Sequence, residues 1–299
     1  MPPSDPIRIF DRTLLAARRD RIAAGAAAHD FLLGRVADEI AERLAIVQRK
    51  LPLAANIGAH HGLIAQRISG VAGVARIINL DHAARLLDQC KGLRVVADEE
   101  ALPFAAASLD LVVSGLSLHL VNDLPGALMQ IRRALKPDGL LLAALLGGQT
   151  LKELRQAWLE AESELTGGAS PRVAPFADVR DLGALLQRAG FALPVVDSEM
   201  VTVTYATPLA LMREVKDMGA SNMLSARHRR PVTRGLLARA AEIYAQRYAL
   251  PDGRVPATFE ILTLTAWAPD ESQPKPLQPG SAKVRLADAL GTIERKLRE

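Results

Sequence analysis

From Pro52 onward the chain alternates short apolar runs with amphipathic stretches, and that rhythm sets the expected architecture. Strands are predicted at Leu53–Ile57, Arg76–Leu80, Leu93–Ala97, Leu109–Ser114, Leu140–Leu146, Val195–Tyr205 and Ala257–Ala268. Helices are predicted at Leu63–Ser69, His82–Cys90, Leu124–Leu135, Leu151–Leu165, Val179–Ala189, Pro208–Met218 and Arg234–Tyr248. Such strand–helix alternation predicts a parallel sheet covered on both faces. Ahead of it, Ile7–Arg49 reads as helix with Leu32, Leu33, Val36, Ile40 and Leu44 on one stripe, and Pro52 ends it. Lys136-Pro-Asp-Gly139 reads as a turn in which proline stops a helix and glycine permits positive φ before the next strand. A proline-rich stretch, Gln273–Gly280, and an amphipathic segment, Val284–Leu297, follow the last strand. Three parts result: a helical extension over 1–50, an α/β domain over 51–269 and an irregular tail over 270–299.

Composition narrows the setting. With 299 residues, 49% hydrophobic and 23% charged, the chain has the make-up of a globular protein with a sizeable core. A single cysteine, Cys90, excludes an internal disulfide framework and fits a reducing compartment; beside Lys91 it reads as structural rather than nucleophilic. No run approaches the ~20 apolar residues of a membrane span, and Met1–Pro6 lacks the apolar stretch of a secretory signal. A cytoplasmic chain without a transmembrane segment is therefore expected. The net charge of +4 gathers in two clusters, Arg12, Arg18, Arg19 and Arg21, and Arg227, Arg229, Arg230 and Arg234. Solvated helix faces are one reading; an acidic protein face or an anionic membrane surface is another. Aromatic residues make up only 4%, poor material for stacking on bases, so no nucleic-acid partner is expected.

Candidate chemistry begins at the first strand. Leu53–Ile57 runs into Gly58, and an amphipathic stretch leaves from Gly62, the strand–turn–helix context in which backbone N–H groups meet a ligand. Such a loop needs small residues because its backbone lies against the ligand. His60 brings an imidazole into it, and Asn56 precedes it. Asp81 ends the second predicted strand at the place and spacing of a carboxylate that chelates ribose hydroxyls; as a helix N-cap it is equally natural. Asp98 offers an acceptor after the third strand, or belongs to a solvated Asp98-Glu99-Glu100 turn. Leu102 and Phe104 read as core. Ser114–His119 ends the fourth strand at the carboxyl edge, where open α/β sheets bind ligands, and His119 is a candidate base or a packing residue. No metal site is expected: His60, His61, His82 and His119 have no ligand spacing.

With these elements in order, the chain resembles the class I S-adenosylmethionine methyltransferases. Within them it is most similar to the mitochondrial complex I assembly factor 5 group, the arginine hydroxylases, with the malonyl-ACP O-methyltransferases as relatives. The resemblance rests on Ile9-Phe-Asp-Arg12 with Arg18–Arg21, Ala97–Phe104, Leu109–Pro125, Leu135–Gly139, Gly147–Leu151, Ser170-Pro171, Pro175-Phe176, Asp181–Phe191, Met218-Gly219 with Ser221-Asn222, and Gly253–Thr258. It spans about Ile7 to Ser281. It implies a doubly wound, seven-stranded Rossmann-like sheet with an N-terminal helical extension and a helical insertion before an antiparallel last strand. It further implies S-adenosylmethionine as cofactor, held by Asn56, Gly58, His60, Gly62, Asp81, Asp98 and Ser114. The partner implied is a protein, such as a complex I subunit, with the chain placed at the periphery of the inner membrane. Asn56 stands where the family has an acidic residue and His60 where it has glycine. These departures motivate one alternative, a non-catalytic assembly chaperone on a degenerate scaffold. The arginine clusters motivate another, a malonyl-ACP or small-molecule O-methyltransferase. Methyl transfer needs cofactor and acceptor held in line; for arginine hydroxylation no facial-triad spacing supplies an iron site.

Overall fold

The computed structural model describes residues 8–176, 178–274, 281 and 284–292. Chain contacts divide it into two units, Met1–Pro269 and Asp270–Glu299. The first unit opens with α1 (Arg12–Ile22), a short 3-10 run over Ala23–Ala28 and α2 (Phe31–Ala45). The single helix predicted for Ile7–Arg49 is thus interrupted: the Ala/Gly run tightens into 3-10 geometry and Asp30 restarts the chain. Asp11 caps α1 by accepting the Leu14 N–H at 3.0 Å.

The α/β body follows as β1 (Leu53–Ile57), α3 (Leu63–Ile68), β2 (Arg76–Asp81), α4 (Ala84–Leu87), β3 (Leu93–Val96), β4 (Leu109–Gly115), α5 (Leu124–Ala134) and β5 (Leu135–Leu146). Then come α6 (Lys152–Thr166), α7 (Val179–Arg188), β6 (Ala192–Tyr205), α8 (Pro208–Asp217), α9 (Arg234–Tyr248) and β7 (Val255–Trp267). The seven strands order as β3-β2-β1-β4-β5-β7-β6. Every pair from β3 to β5 is parallel, and β7 runs antiparallel between β5 and β6. The strand order reverses between β1 and β4, which opens a crevice at their carboxyl ends. The doubly wound sheet with its helical extension is as the sequence led one to expect.

The period-two alternation of the strands divides the core between two faces. Leu111, Val113, Leu140 and Leu142 point to one side and pack with α2, α3, α6 and α9. Val112, Leu141 and Ala143 point to the other and pack with α5 and α7, together with Leu102 and Phe104 at the margin. Two local expectations are corrected. The helix predicted over His82–Cys90 is confined to the single turn of α4: Asp81 Oδ1 takes the Ala83 N–H ahead of it, and Gln89 and Cys90 close the chain behind it with bonds to Leu86 and Leu87. Lys136–Gly139, predicted as a turn, lies within β5 at an irregularity of its pairing with β4, and there the positive φ of 60° falls on Asp138, not on Gly139. Gly139 is needed for space instead, since a Cβ there would stand 3.0 Å from the Lys136 carbonyl oxygen. In the second unit, α10 (Leu286–Ala289) is a short helix; residues 293–297 of the amphipathic segment predicted there, and residues 275–280 of the proline-rich stretch, lie outside the described residues.

Candidate functional site

The loop after β1 is built on left-handed backbone, with φ of 65° at Gly58, 51° at His60 and 87° at Gly62. Glycine suits two of these positions. A Cβ at Gly58 would lie 2.2 Å from the Ser117 side chain, so the backbone is in close contact there. His60 is the exception, and it is fully tied in. Its N–H donates to Asp81 Oδ2 at 3.0 Å, and its ring Nε2 lies 3.1 Å from the Gly115 carbonyl oxygen. Burial, helped by the charge of Arg19, lowers its pKa to about 3, so the ring is neutral and Nε2–H is the donor. Behind the loop, the Cys90 thiol donates to the His60 carbonyl at 3.4 Å. Burial pushes that thiol up to about 12, which fits a packing role.

Asp81 is fully buried at the end of β2. Its Oδ1 accepts the Ala83 N–H at 2.8 Å, and its Oδ2 accepts from His60 and from Arg19 Nη1 at 3.5 Å. Asp98 follows β3 and accepts from Arg12 Nη2 at 2.7 Å and from the Glu100 N–H at 3.0 Å. Burial opposes its ionisation, but those hydrogen bonds and the Arg12 charge hold it below the usual carboxylate range. Between the two lies Glu99, fully buried, where a solvated turn was one expectation. Glu99 accepts from Arg12 and from Ser117 Oγ–H at 2.5 Å, and Arg19 stands 3.8 Å away.

Arg12 and Arg19 therefore enter the carboxyl edge of the sheet from α1. Seven positions apart, they share one helix face. Their side chains are only 10% and 5% exposed, which overturns the reading of both as solvated. Glu99, Ser117 and the two arginines are the site residues that sequence reasoning missed. The seven-residue spacing on a helix was the available signal.

Asn56 and Ser114 sit at the carboxyl ends of the adjacent strands β1 and β4, both fully buried. Asn56 Nδ2 donates to Asn79 Oδ1 at 3.1 Å, while Asn56 Oδ1 and Ser114 Oγ have no hydrogen-bond partner. Gly62 lies at the back of the loop against Cys90. His119 lies on the 3-10 turn Leu118–Leu120 beyond β4 and accepts the Leu146 N–H at 3.4 Å through Nδ1. Burial and the neighbouring Arg19 and His60 bring its pKa to about 3, far from the range in which a general base is efficient at neutral pH. His60 and His119 both line a cavity of about 710 Å3 that is also walled by α1 and α8. Asn56, Gly58, Gly62, Asp81, Asp98 and Ser114 do not line it. Among the described residues, no group of three or more His, Cys, Asp or Glu side chains is placed to hold a metal ion, and no helix is long and apolar enough to cross a membrane.

The donor set can be tested for S-adenosylmethionine. Two carboxylates at adjacent strand ends and two unpartnered buried polar atoms fit such a ligand, while the space that a Cβ at Gly58 would enter is taken by Ser117. The space before the carboxylates, however, holds Arg12 and Arg19. The donors fit such a group, and in this structure the α1 arginines hold the carboxylates among them.

Sheet order, crevice and donor set together define a protein of the class I methyltransferase fold. Residues 55–143 match the family described as "Methyltransferase domain". Over 289 residues the chain is 40% identical to the mitochondrial arginine-hydroxylase NDUFAF5 of Danio rerio, covering 94% of this chain and 89% of that protein. It is 33% identical over 300 residues to the malonyl-(acyl-carrier protein) O-methyltransferase of Methylovorus sp., covering 96% of this chain and 95% of that one. Among solved structures, the YcgJ protein from Bacillus subtilis superposes with a TM-score of 0.56 over 79% of this chain and 99% of that one; at 13% identity it shares the fold. This chain belongs to the family of the NDUFAF5 arginine-hydroxylases.

Proposed function

We propose that this chain binds S-adenosylmethionine and modifies a protein substrate during assembly of respiratory complex I. The observation that carries the cofactor half is the pair of unpartnered buried atoms, Asn56 Oδ1 and Ser114 Oγ, in a site whose carboxylates are paired with arginines of α1. Buried polar atoms are rarely left without partners in a resting fold. In this reading Asp81 takes the ribose hydroxyls, Asp98 lies toward the adenine, and the Gly58–Gly62 loop follows the methionine end. When bound, S-adenosylmethionine would supply an electrophilic methyl carbon for methyl transfer; hydroxylation of an arginine would draw its oxidising equivalents from a separate oxidant. The chain's own contribution is positional: α1 releases the carboxylates, and neutral His60 and His119 offer ring nitrogens without competing for charge. The substrate half takes its support from the relatives' names, arginine-hydroxylase above all; in this reading the chain acts at the periphery of the membrane in which complex I is built.

A second reading is favoured by one observation, the filling of the site by Arg12, Arg19 and the His60 ring. It holds that the chain is an assembly chaperone that no longer uses a cofactor. Mass spectrometry of the complex I core subunits from a deletion strain separates the two. The enzymatic reading expects one modification to disappear and to return with the wild-type gene. Unchanged subunits in a strain that still fails to assemble the complex would favour the chaperone.

A further inference from the structure

The 710 Å3 cavity carries a chemistry of its own. Its size lies within the roughly 300–1,000 Å3 of small-molecule sites. One wall is apolar and includes Leu33, Leu146, Leu154, Phe176 and Phe259. The charged wall is cationic: six arginines and Lys216 line it, and Asp30 is the sole carboxylate among the described lining residues. Three of the arginines are already paired, Arg19 with Asp81, Arg172 with Glu162 and Arg227 with Asp11. Arg18 is different. It is half-buried, donates to the Asn222 carbonyl oxygen and makes no ion pair among the described residues. Arg18 and Arg227 both line the cavity; burial lowers the Arg18 pKa, repulsion by Arg227 adds to that, and Asp11 opposes it. A desolvated guanidinium beside a second one gains most from an anion. Arg229 and Arg230, exposed and without ion pairs among the described residues, extend the positive field outward.

We infer that this cavity binds an amphiphile whose anionic head, a carboxylate or a phosphate, is held by Arg18 and Arg227 while its acyl-length tail lies against the leucine and phenylalanine wall. The inference goes beyond the cofactor reading: Arg19, His60 and His119 border both sites, while Asp81, Asp98, Asn56 and Ser114 do not line the cavity. A free guanidinium is the ligand least suited to it.

Calorimetric titration of the full chain with laurate, dodecyl phosphate, dodecanol and inorganic phosphate tests this, in the absence of S-adenosylmethionine. The expected result is saturable binding of laurate or dodecyl phosphate at least tenfold tighter than dodecanol, with no measurable binding of inorganic phosphate. The tighter of the two anions identifies the head group. Arg18→Gln should weaken the anionic amphiphile at least tenfold and leave dodecanol unchanged. Dodecanol binding as tightly as both anions, inorganic phosphate binding as tightly as either, or no binding at all overturns the inference. The wild-type comparison decides even if Arg18→Gln does not fold. Failure here leaves cofactor binding, read with S-adenosylmethionine alone, untouched.

Discussion

At the scale of single residues, the site is governed by groups whose charge state burial has set. His60 and His119 each have a pKa near 3, against 6.5 for a free histidine. A folded-state pKa depressed in this way means that the unfolded chain binds protons first. The stabilisation is complete above pH 6.5 and is lost as pH falls toward 3, at up to ~1.4 kcal/mol per pH unit for each ring. Urea midpoints between pH 7 and 4 should therefore fall more steeply for the wild type than for His119→Gln; parallel profiles would contradict the assignment. Gly58 gives a steric counterpart. Alanine there needs a left-handed φ of 65° and a Cβ 2.2 Å from Ser117. Gly58→Ala should lose about 2–4 kcal/mol in urea unfolding, the sum of αL strain and overpacking, whereas a loss below about 1 kcal/mol would show the loop to be slack.

At the scale of elements, α1 decides whether the sheet edge is closed or available. Arg19 removed from its place leaves Asp81 buried without its cation and Glu99 with Arg12 alone. Breaking one side of such a network costs roughly 3–5 kcal/mol, so Arg19→Met should fall in stability by that order, with part of the loss recovered on adding S-adenosylmethionine. A thermal shift unaffected by cofactor in both proteins would speak against exchange between arginine and ligand. The strands and most helices of the sheet were legible because their apolar runs are long and flanked by turn residues. Asp81 and Asp98 were legible as candidates because strand ends are. Glu99 and the partnership of Arg12 and Arg19 were not, since periodicity places a residue on an element face but says nothing of which distant carboxylate it meets. The α4 region failed for local reasons: Asp81 captures the Ala83 N–H ahead of the turn, and Gln89 and Cys90 close the chain behind it. His60 was legible as an obstacle, but its hydrogen bond to Gly115 joins strand ends far apart in sequence.

At the scale of the whole molecule, two chemistries meet above the reversal point of one sheet. The carboxylates of β2 and β3 are saturated by arginines from the N-terminal helix, while the neighbouring cavity presents arginines that lack such partners. Family membership explains the sheet and the crevice; the arginine exchange explains why donors for a cofactor can stand beside a filled site. The central claim is that the cofactor and the α1 arginines compete for the same carboxylates. Calorimetric titration of S-adenosylmethionine into the wild type, Asp81→Asn and Arg12→Ala tests it most directly. Saturable binding by the wild type, weakened at least tenfold by Asp81→Asn and strengthened by Arg12→Ala, is the predicted result. No heat of binding in any of the three, or equal affinity in all of them, would contradict it.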